Sequence, residues 1–203
     1  MDKKKTDKLK ISEVRNEFAK YLLKHTSLSE NIIDVIVDSN IIHYFEKGTV
    51  LLREGDLSNE CYLVFKGCIR SYLIKNGDER TIEFYTEEQP VLPICFGKKI
   101  PSEHYLECIE DTIACVSTPE NEKEMFQKYP LLESACRIMA ETMMTKYQVS
   151  LIDYLTTSAE DRYLKLLQDR PELIQRVPQY QLASYLGIKP ESLSRIRRRL
   201  NKR

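Results

Sequence analysis

Near its C-terminal end the chain reads Gln179-Tyr-Gln-Leu-Ala-Ser-Tyr-Leu-Gly-Ile-Lys-Pro-Glu-Ser-Leu-Ser-Arg-Ile-Arg-Arg-Arg-Leu200. Leu182, Ala183 and Leu186 give a first helix one apolar face. Gly187 follows directly and supplies the left-handed backbone conformation that commonly ends a helix. Pro190 suits the first turn of a second helix, where its missing N–H has no partner in any case. The segment therefore predicts two short helices joined by a tight turn, the arrangement of a helix-turn-helix.

The second of these helices is strongly basic. From Lys189 to Arg203 the sequence has seven basic residues and one acid, Glu191, so the stretch carries about +6 in a chain whose formal net charge is zero. Such a patch is the electrostatic footprint of a phosphate-binding surface. A solvated amphipathic helix with a basic tail is the alternative. The preceding helix and the turn at Gly187 favour DNA binding over that alternative.

The composition is that of an ordinary globular chain. At 203 residues, one large domain or two small ones fit, and 42% of the residues are hydrophobic and 31% charged. No apolar run approaches the roughly 20 residues of a membrane span. The charged N-terminus is not followed by the hydrophobic region of a signal peptide, so we expect a cytoplasmic protein with no membrane partner.

The cysteines predict structural thiols rather than a metal centre. None of the six forms a C-x-x-C pair, which gives zinc or iron–sulfur binding little support. Most lie in apolar runs, where a free cysteine behaves as a small buried hydrophobe. Redox sensing by an exposed pair is the alternative. The six are Cys61, Cys68, Cys95, Cys108, Cys115 and Cys136.

The pattern changes from helix to strand along the first half of the chain. Residues 11–38 have helical periodicity with a break near residues 26–27, after which Ser29 is a suitable N-cap. From residue 41 to about 117, short β-branched and aromatic runs alternate with Gly, Asn and Asp turns. Asn76-Gly77 between two such runs predicts a hairpin, because both turn positions need positive φ. Many short strands at this spacing predict a sandwich or barrel.

Two prolines, Pro90 and Pro93, interrupt the strand pattern and open a loop that runs to Pro101. The segment Glu107–Val116 is then predicted as one strand that closes the domain. On such a barrel, this loop can line a ligand pocket. The candidate pocket residues are Pro93, Cys95, Phe96, Glu103 and His104.

Helices return after the last strand. Thr118 and Pro119 form a helix start, and a second start lies at Ser158. Between them a long helix is predicted from Leu131 to about Leu155, and roughly 25 residues extend about 37 Å. One face of a small domain is too short to bury that length, so we expect a partner helix in a dimer, with packing inside one chain as the alternative. The candidate dimerisation residues are Leu132, Ala135, Ile138, Met139, Thr142, Met143 and Val149.

This order of parts resembles the Crp/Fnr family of bacterial transcription regulators, and the resemblance covers nearly the whole chain. Its most specific pieces are residues 47–72, Ala159-Glu-Asp-Arg-Tyr163 and residues 182–195. The resemblance implies an α+β fold, in which a double-stranded β-helix, or jelly-roll-like, barrel precedes a winged-helix-like helix-turn-helix. It implies a cyclic-nucleotide-binding-like sensor over residues 1–130, a dimerisation helix over 131–155 and a DNA-binding domain over 156–203.

The resemblance also assigns the residues that read DNA. The family's recognition helix commonly carries a Glu and, four residues on, an Arg, which match Glu191 and Arg195. A glutamate accepts from cytosine N4, and an arginine pairs with guanine O6 and N7. The family's third basic reader falls on Pro190, so that contact is lost or moved to Lys189. The remaining implied contacts to bases or to the backbone are Ser192, Ser194, Arg198, Arg199, Gln179 and Tyr180.

The sensor half departs from the cyclic-nucleotide-binding pattern. Where the family has Gly-Glu and then an Arg followed by a small polar residue, this chain has Leu92-Pro93 and Glu103-His104. A carboxylate facing the cyclic phosphate is repulsive, so we predict that cyclic AMP does not bind through the usual residues. The family's iron–sulfur subgroup has clustered N-terminal cysteines, and none precedes Cys61 here. A haem ligand among His43, His104 or the cysteines stays open.

The resulting hypothesis is a homodimeric regulator that reads a roughly palindromic site in double-stranded DNA, with half-sites about 34 Å apart. RNA polymerase is a further candidate partner, and the effector is unknown. The alternative is a small-molecule-binding barrel whose helical tail serves assembly. An enzyme is disfavoured because the sequence shows no nucleophile–base pair at a motif spacing, no phosphate-binding glycine loop and no metal cluster.

Overall fold

The structure is a computed structural model that describes residues 3–39 and 41–200, with side chains from Val14 onward. Lys202 and Arg203, which the sequence places in the basic run, lie outside the described residues.

The N-terminal segment forms two helices, α1 (Lys3–His25) and α2 (Glu30–Val37). The predicted break near residues 26–27 is confirmed, and Ser29 is the N-cap of α2. Helix α1 begins at Lys3 instead of residue 11. The added turns are rich in lysine, a good helix former that contributes no apolar periodicity to the sequence.

Eight strands follow the two helices and form two four-stranded sheets. The strand orders are β1-β8-β3-β6 and β2-β7-β4-β5, and the pairs β1/β8, β3/β8, β3/β6 and β2/β7 are antiparallel. The strands are β1 (Ile42–Phe45), β2 (Val50–Leu52), β3 (Cys61–Lys66), β4 (Ile69–Lys75), β5 (Asp78–Tyr85), β6 (Pro90–Val91), β7 (Tyr105–Cys108) and β8 (Thr112–Ser117).

Side chains from both sheets share one apolar core. Val64 of β3, Ile69 of β4, Leu106 of β7 and Ala114 of β8 belong to it and are at most 1% exposed. Helix α1 packs on β1 and β3, where the Phe18 ring lies 5.0 Å from that of Phe65. The predicted barrel-like β-domain is therefore present.

The predicted hairpin is confirmed. Strands β4 and β5 are joined by Asn76 and Gly77, whose φ angles are +55° and +82°. Both positions have the positive φ that a two-residue type I′ turn requires.

Two predictions about strands are wrong. Pro90 was predicted to open a loop, but Pro90–Val91 forms β6 at the edge of its sheet. An edge strand tolerates proline because the missing N–H can lie on the side that has no neighbouring strand. The single strand predicted over Glu107–Val116 is two strands, because residues 109–111 turn to meet distant partners. Ile109 N donates to Cys68 O at 2.9 Å, and Lys47 N donates to Asp111 Oδ1 at 3.1 Å.

From residue 119 to residue 200 the regular secondary structure is helical. The helices are α3 (Pro119–Lys128), α4 (Pro130–Thr156), α5 (Ala159–Asp169), α6 (Pro171–Arg176), α7 (Gln179–Tyr185) and α8 (Pro190–Leu200). Both predicted N-caps are confirmed: Thr118 Oγ1 accepts from Asn121 N at 3.2 Å, and Ser158 forms a capping box with Asp161. Among described residues 118–200 no strand occurs that would form a wing.

The chain divides into two compact units. The first comprises residues 1–71 and 84–138, and the second comprises residues 72–83 and 139–203. The second unit thus contains the C-terminal helices, the turn of the β4–β5 hairpin and the parts of both strands next to that turn. None of the described helices combines the length and apolar character that a membrane crossing needs.

Candidate nucleic-acid interface

The turn between α7 and α8 is built by Gly187. Its φ is +72°, its N–H donates to Ser184 O at 3.0 Å, and Ile188 N donates to Ala183 O at 3.0 Å. These two bonds are those of a Schellman motif, which satisfies the last carbonyls of a helix. The turn predicted from the sequence therefore has a defined hydrogen-bond pattern.

A side chain at position 187 would also meet a tyrosine. A Cβ at this position would come within 2.7 Å of Tyr154 Oη, at the C-terminal end of α4. The Arg162 guanidinium stacks over the Tyr154 ring at 4.8 Å and donates to Leu186 O at 3.1 Å and Thr157 O at 2.6 Å. Tyr154 and Arg162 thus fix the α7–α8 turn to the end of the long helix.

Helix α8 is anchored by one buried face. Leu193 is 0% exposed and Leu182 of α7 is 1% exposed, and the two helices pack against each other. Because the apolar side chains are fixed inward, the polar side chains of α8 face outward in a defined orientation.

The residues predicted to contact DNA lie mostly on this outward surface. Ser192 is half-buried. The other nine are exposed, namely Gln179, Tyr180, Lys189, Pro190, Glu191, Ser194, Arg195, Arg198 and Arg199. Glu191 and Arg195 lie one helical turn apart, and Arg195 Nε donates to Glu191 O at 3.4 Å. The surface therefore offers an acceptor and a fork of donors side by side, which is the chemistry of base-edge recognition.

Three of these residues have partners that the sequence did not suggest. Gln179 Nε2 donates to Ser194 Oγ at 3.3 Å, which joins the first turn of α7 to α8. Arg199 forms an ion pair with Glu160 of α5. Glu160 belongs to the Ala159–Tyr163 motif quoted above, but nothing local in the sequence connects it with a residue 39 positions later.

The five predicted pocket residues are distributed along the loop after β6. Pro93, Cys95 and His104 are buried, Phe96 is half-buried and Glu103 is exposed. Cys95 belongs to the barrel core. Burial lowers the pKa of His104 below its ordinary 6.5, and the nearby Glu103 carboxylate opposes that change. His104 is therefore neutral near pH 7.

The predicted pocket residues place a carboxylate where the family pattern has an arginine. Glu103 is exposed where the family pattern requires a cation, and the sequence contains no arginine between Arg80 and Arg137. An open groove of about 410 Å³ lies on α3, lined by Pro119, Glu122, Lys123, Phe126, Gln127 and Glu133. None of the predicted pocket residues lines that groove.

The cysteines are free thiols. Burial raises the pKa of Cys115 to about 12 and those of Cys108 and Cys136 to about 11. Cys61 Sγ donates to Glu122 Oε1 at 3.3 Å, and burial, followed by this carboxylate, raises its pKa as well. These thiols stay protonated near neutral pH, which fits the structural role predicted for them.

The long helix α4 exposes apolar side chains along its length. Within the described chain Leu132 is the buried residue of this helix, while Ile138 is 56% and Val149 47% exposed. Of the other predicted dimerisation residues, Thr142 is exposed, and Ala135, Met139 and Met143 are half-buried. The described chain therefore leaves much of the predicted apolar stripe accessible.

The sequence is similar to a known domain family and to a known regulator. Residues 42–129 match the cyclic nucleotide-binding domain family. The nitrogen fixation regulation protein FixK of Rhizobium meliloti is 25% identical over 177 residues, which cover 80% of this chain and 76% of FixK.

Two solved structures have the same fold. The c-di-GMP responsive global regulator CLP of Xanthomonas campestris has a TM-score of 0.67 at 17% identity, covering 86% of this chain and 92% of CLP. A protein of Eubacterium rectale assigned to the crp/fnr family has a TM-score of 0.64 at 18% identity, covering 89% of this chain and 86% of that protein.

The chain thus contains a cyclic nucleotide-binding domain followed by a C-terminal helical domain. The similar proteins named above are regulators rather than enzymes, and one of them is assigned to the crp/fnr family.

Proposed function

We propose that the protein is a transcriptional regulator that binds a roughly palindromic site in double-stranded DNA as a homodimer. The observation that carries the proposal is the surface of α8. Glu191 and Arg195 lie exposed one turn apart, while Leu193 anchors the opposite face. Held in the major groove, the Glu191 carboxylate accepts from cytosine N4 and the Arg195 guanidinium donates to guanine O6 and N7.

The remaining exposed residues supply affinity without reading the sequence. Lys189, Arg198 and Arg199 are cations around the same helix, and they are suited to phosphate oxygens. The main chain at Gln179 and Tyr180 forms the start of α7, where N–H groups lack intrahelical partners. Each phosphate neutralised releases counterions, so the affinity falls with rising salt.

The homodimer is supported by α4. Its 27 residues extend about 40 Å, and its exposed apolar side chains include Val149, Ile152 and Leu155. Covering such a surface with the same helix of a second copy buries it symmetrically and positions two α8 helices for two half-sites. A second copy is therefore the proposed cover.

Val149→Glu should dissociate the dimer. The substitution places a carboxylate in a symmetric apolar seam, where two uncompensated charges oppose each other. We expect the dimer dissociation constant to rise about 100-fold or more, as measured by sedimentation equilibrium over a range of protein concentrations.

Ala140→Glu is the matched control. It adds a negative charge at an exposed position nine residues before Val149, on the opposite side of α4, and we expect little change in the dissociation constant. Equal dissociation by both variants would point to charge alone as the cause, and a monomeric wild type would contradict the dimer.

Cyclic AMP should not bind with micromolar affinity. Glu103 stands where the family pattern places a cation, and a carboxylate repels the cyclic phosphate. We expect isothermal titration calorimetry to detect no saturable heat at micromolar nucleotide. A saturable micromolar isotherm would show that other residues of the barrel hold the phosphate.

We further propose RNA polymerase as a partner and the cytoplasm as the location of the protein. In this proposal the barrel either binds an effector other than cyclic AMP or has no effector.

The proposal is tested by selecting sites from a random DNA pool with the purified protein at near-physiological salt. We expect enrichment of a two-fold symmetric sequence with half-sites one helical turn, about 34 Å, apart. If neither the protein alone nor the protein with cell extract enriches a site, the helical tail serves assembly and the DNA-binding proposal is wrong.

A further inference from the structure

Residues 72–83 of the β4–β5 hairpin belong to the same compact unit as residues 139–203, and one serine connects the two segments. Ser184 of α7 donates from Oγ to Glu79 O at 3.0 Å. The same oxygen accepts from Thr81 N at 2.9 Å. A single hydroxyl thus bonds to a carbonyl and an amide of β5, across more than a hundred residues of sequence.

An ion pair strengthens the connection a few residues along β5. Arg170, between α5 and α6, donates from Nη1 to Glu83 Oε1 at 2.9 Å, and the two side chains are only 19% and 16% exposed. Tyr185, adjacent to Ser184, interacts with both groups; burial and then the Glu83 charge raise its pKa. A pair this shielded from water is screened much less by salt than a surface pair.

These contacts leave the proposed reading surface open. Ser184 lies near the end of α7, next to the Gly187 turn, whereas Gln179 and Tyr180 lie at its start. Glu191 and Arg195 remain exposed on α8. The hairpin contact and DNA binding are therefore compatible.

We propose that residues 79–83 of β5 act as a positioning surface for the two DNA-reading helices. We name the contact of Glu79, Thr81 and Glu83 with Ser184 and Arg170 the hairpin clamp. It holds α7, and through the Gly187 turn α8, in one orientation before DNA arrives. Fixing a binding surface in advance reduces the ordering cost of association. Ser184 and Arg170 are thus positioning residues, and the inference rests on the proposed DNA binding.

Ser184→Ala tests the clamp with little change in volume. We expect the affinity of the full-length protein for its selected site to fall about 3- to 10-fold, the scale of one or two lost hydrogen bonds. The slope of affinity against salt should stay the same because no phosphate contact is removed. Without DNA, the Thr81 amide should exchange its hydrogen faster than in the wild type.

Two further variants separate the clamp from a general loss of stability. Ser184→Thr retains the hydroxyl and should restore both the affinity and the protection of the Thr81 amide. Glu83→Gln removes the charge that Arg170 meets and should lower the affinity in the same direction as Ser184→Ala.

The two measurements distinguish the possible failures. Faster Thr81 exchange in Ser184→Ala with unchanged or higher affinity would overturn the positioning role while leaving DNA binding intact. Unchanged Thr81 exchange would overturn the clamp itself. A wild type that binds no DNA site, with Thr81 protected, would overturn the proposed function and reduce the clamp to a structural contact.

Discussion

Arg195→Ala is expected to remove most of the sequence preference of the protein for its DNA site. The side chain is exposed on α8 one turn from Glu191, and each lost bidentate contact to guanine costs about 1–3 kcal/mol. A symmetric dimer loses two such contacts, or about 2–6 kcal/mol if they add. The affinity for the selected site should fall between about 30-fold and 20,000-fold, at 1.4 kcal/mol per tenfold.

The measurement is a titration of the selected site and of a scrambled site at several salt concentrations. Arg198→Ala is the matched control, because it removes the same charge from the same helix at a position proposed to contact phosphate. It should weaken both sites similarly and reduce the salt slope by about one per contact. If the two variants lose affinity for both sites alike, Arg195 does not read a base.

Gly67→Ala is expected to destabilise the β-domain severely. Gly67 has φ +100°, and a Cβ there would lie 2.5 Å from Asp111 O and 2.7 Å from Thr112 Cα. These are backbone atoms beside a threonine that is 0% exposed, so no flexible side-chain end can move away. Strain of about 1–3 kcal/mol and overpacking of about 1–3 kcal/mol together predict a loss of about 2–6 kcal/mol.

Gly55→Ala is the control within the same unit. Gly55 has a similar φ of +89°, but its Cβ would meet nothing within 4 Å, so only the backbone strain of about 1–3 kcal/mol remains. Urea unfolding should be followed at one protein concentration, because the stability of a dimer depends on concentration. Equal losses in the two variants would rule out the steric explanation for Gly67.

Elements specified by local signals were predicted well from the sequence. The caps Thr118 and Ser158, the Asn76–Gly77 turn and the Gly187 turn all appear where the residue types require them. Each of these features depends on backbone conformation and hydrogen bonds within a few residues, so the sequence contains the necessary information.

Features set by distant partners were not predictable. The turn at residues 109–111 divides β7 from β8 because Cys68 and Lys47 bond to it. Arg70 is nearly fully buried, although arginine is among the residue types most often exposed. Of the candidate site, the residues proposed to read DNA followed from the family resemblance, whereas the clamp on Ser184 joins positions more than a hundred residues apart.

The composition of the second unit has a consequence for synthesis on the ribosome. The hairpin segment 72–83 leaves the ribosome well before residues 139–203, with which it forms one compact unit. The C-terminal helices therefore pack on a hairpin that has already left the ribosome. A fragment starting at residue 139 lacks Glu79 and Thr81, the backbone partners of Ser184. Translation thus sets the order in which this unit is completed, from the hairpin strands to the C-terminal helices.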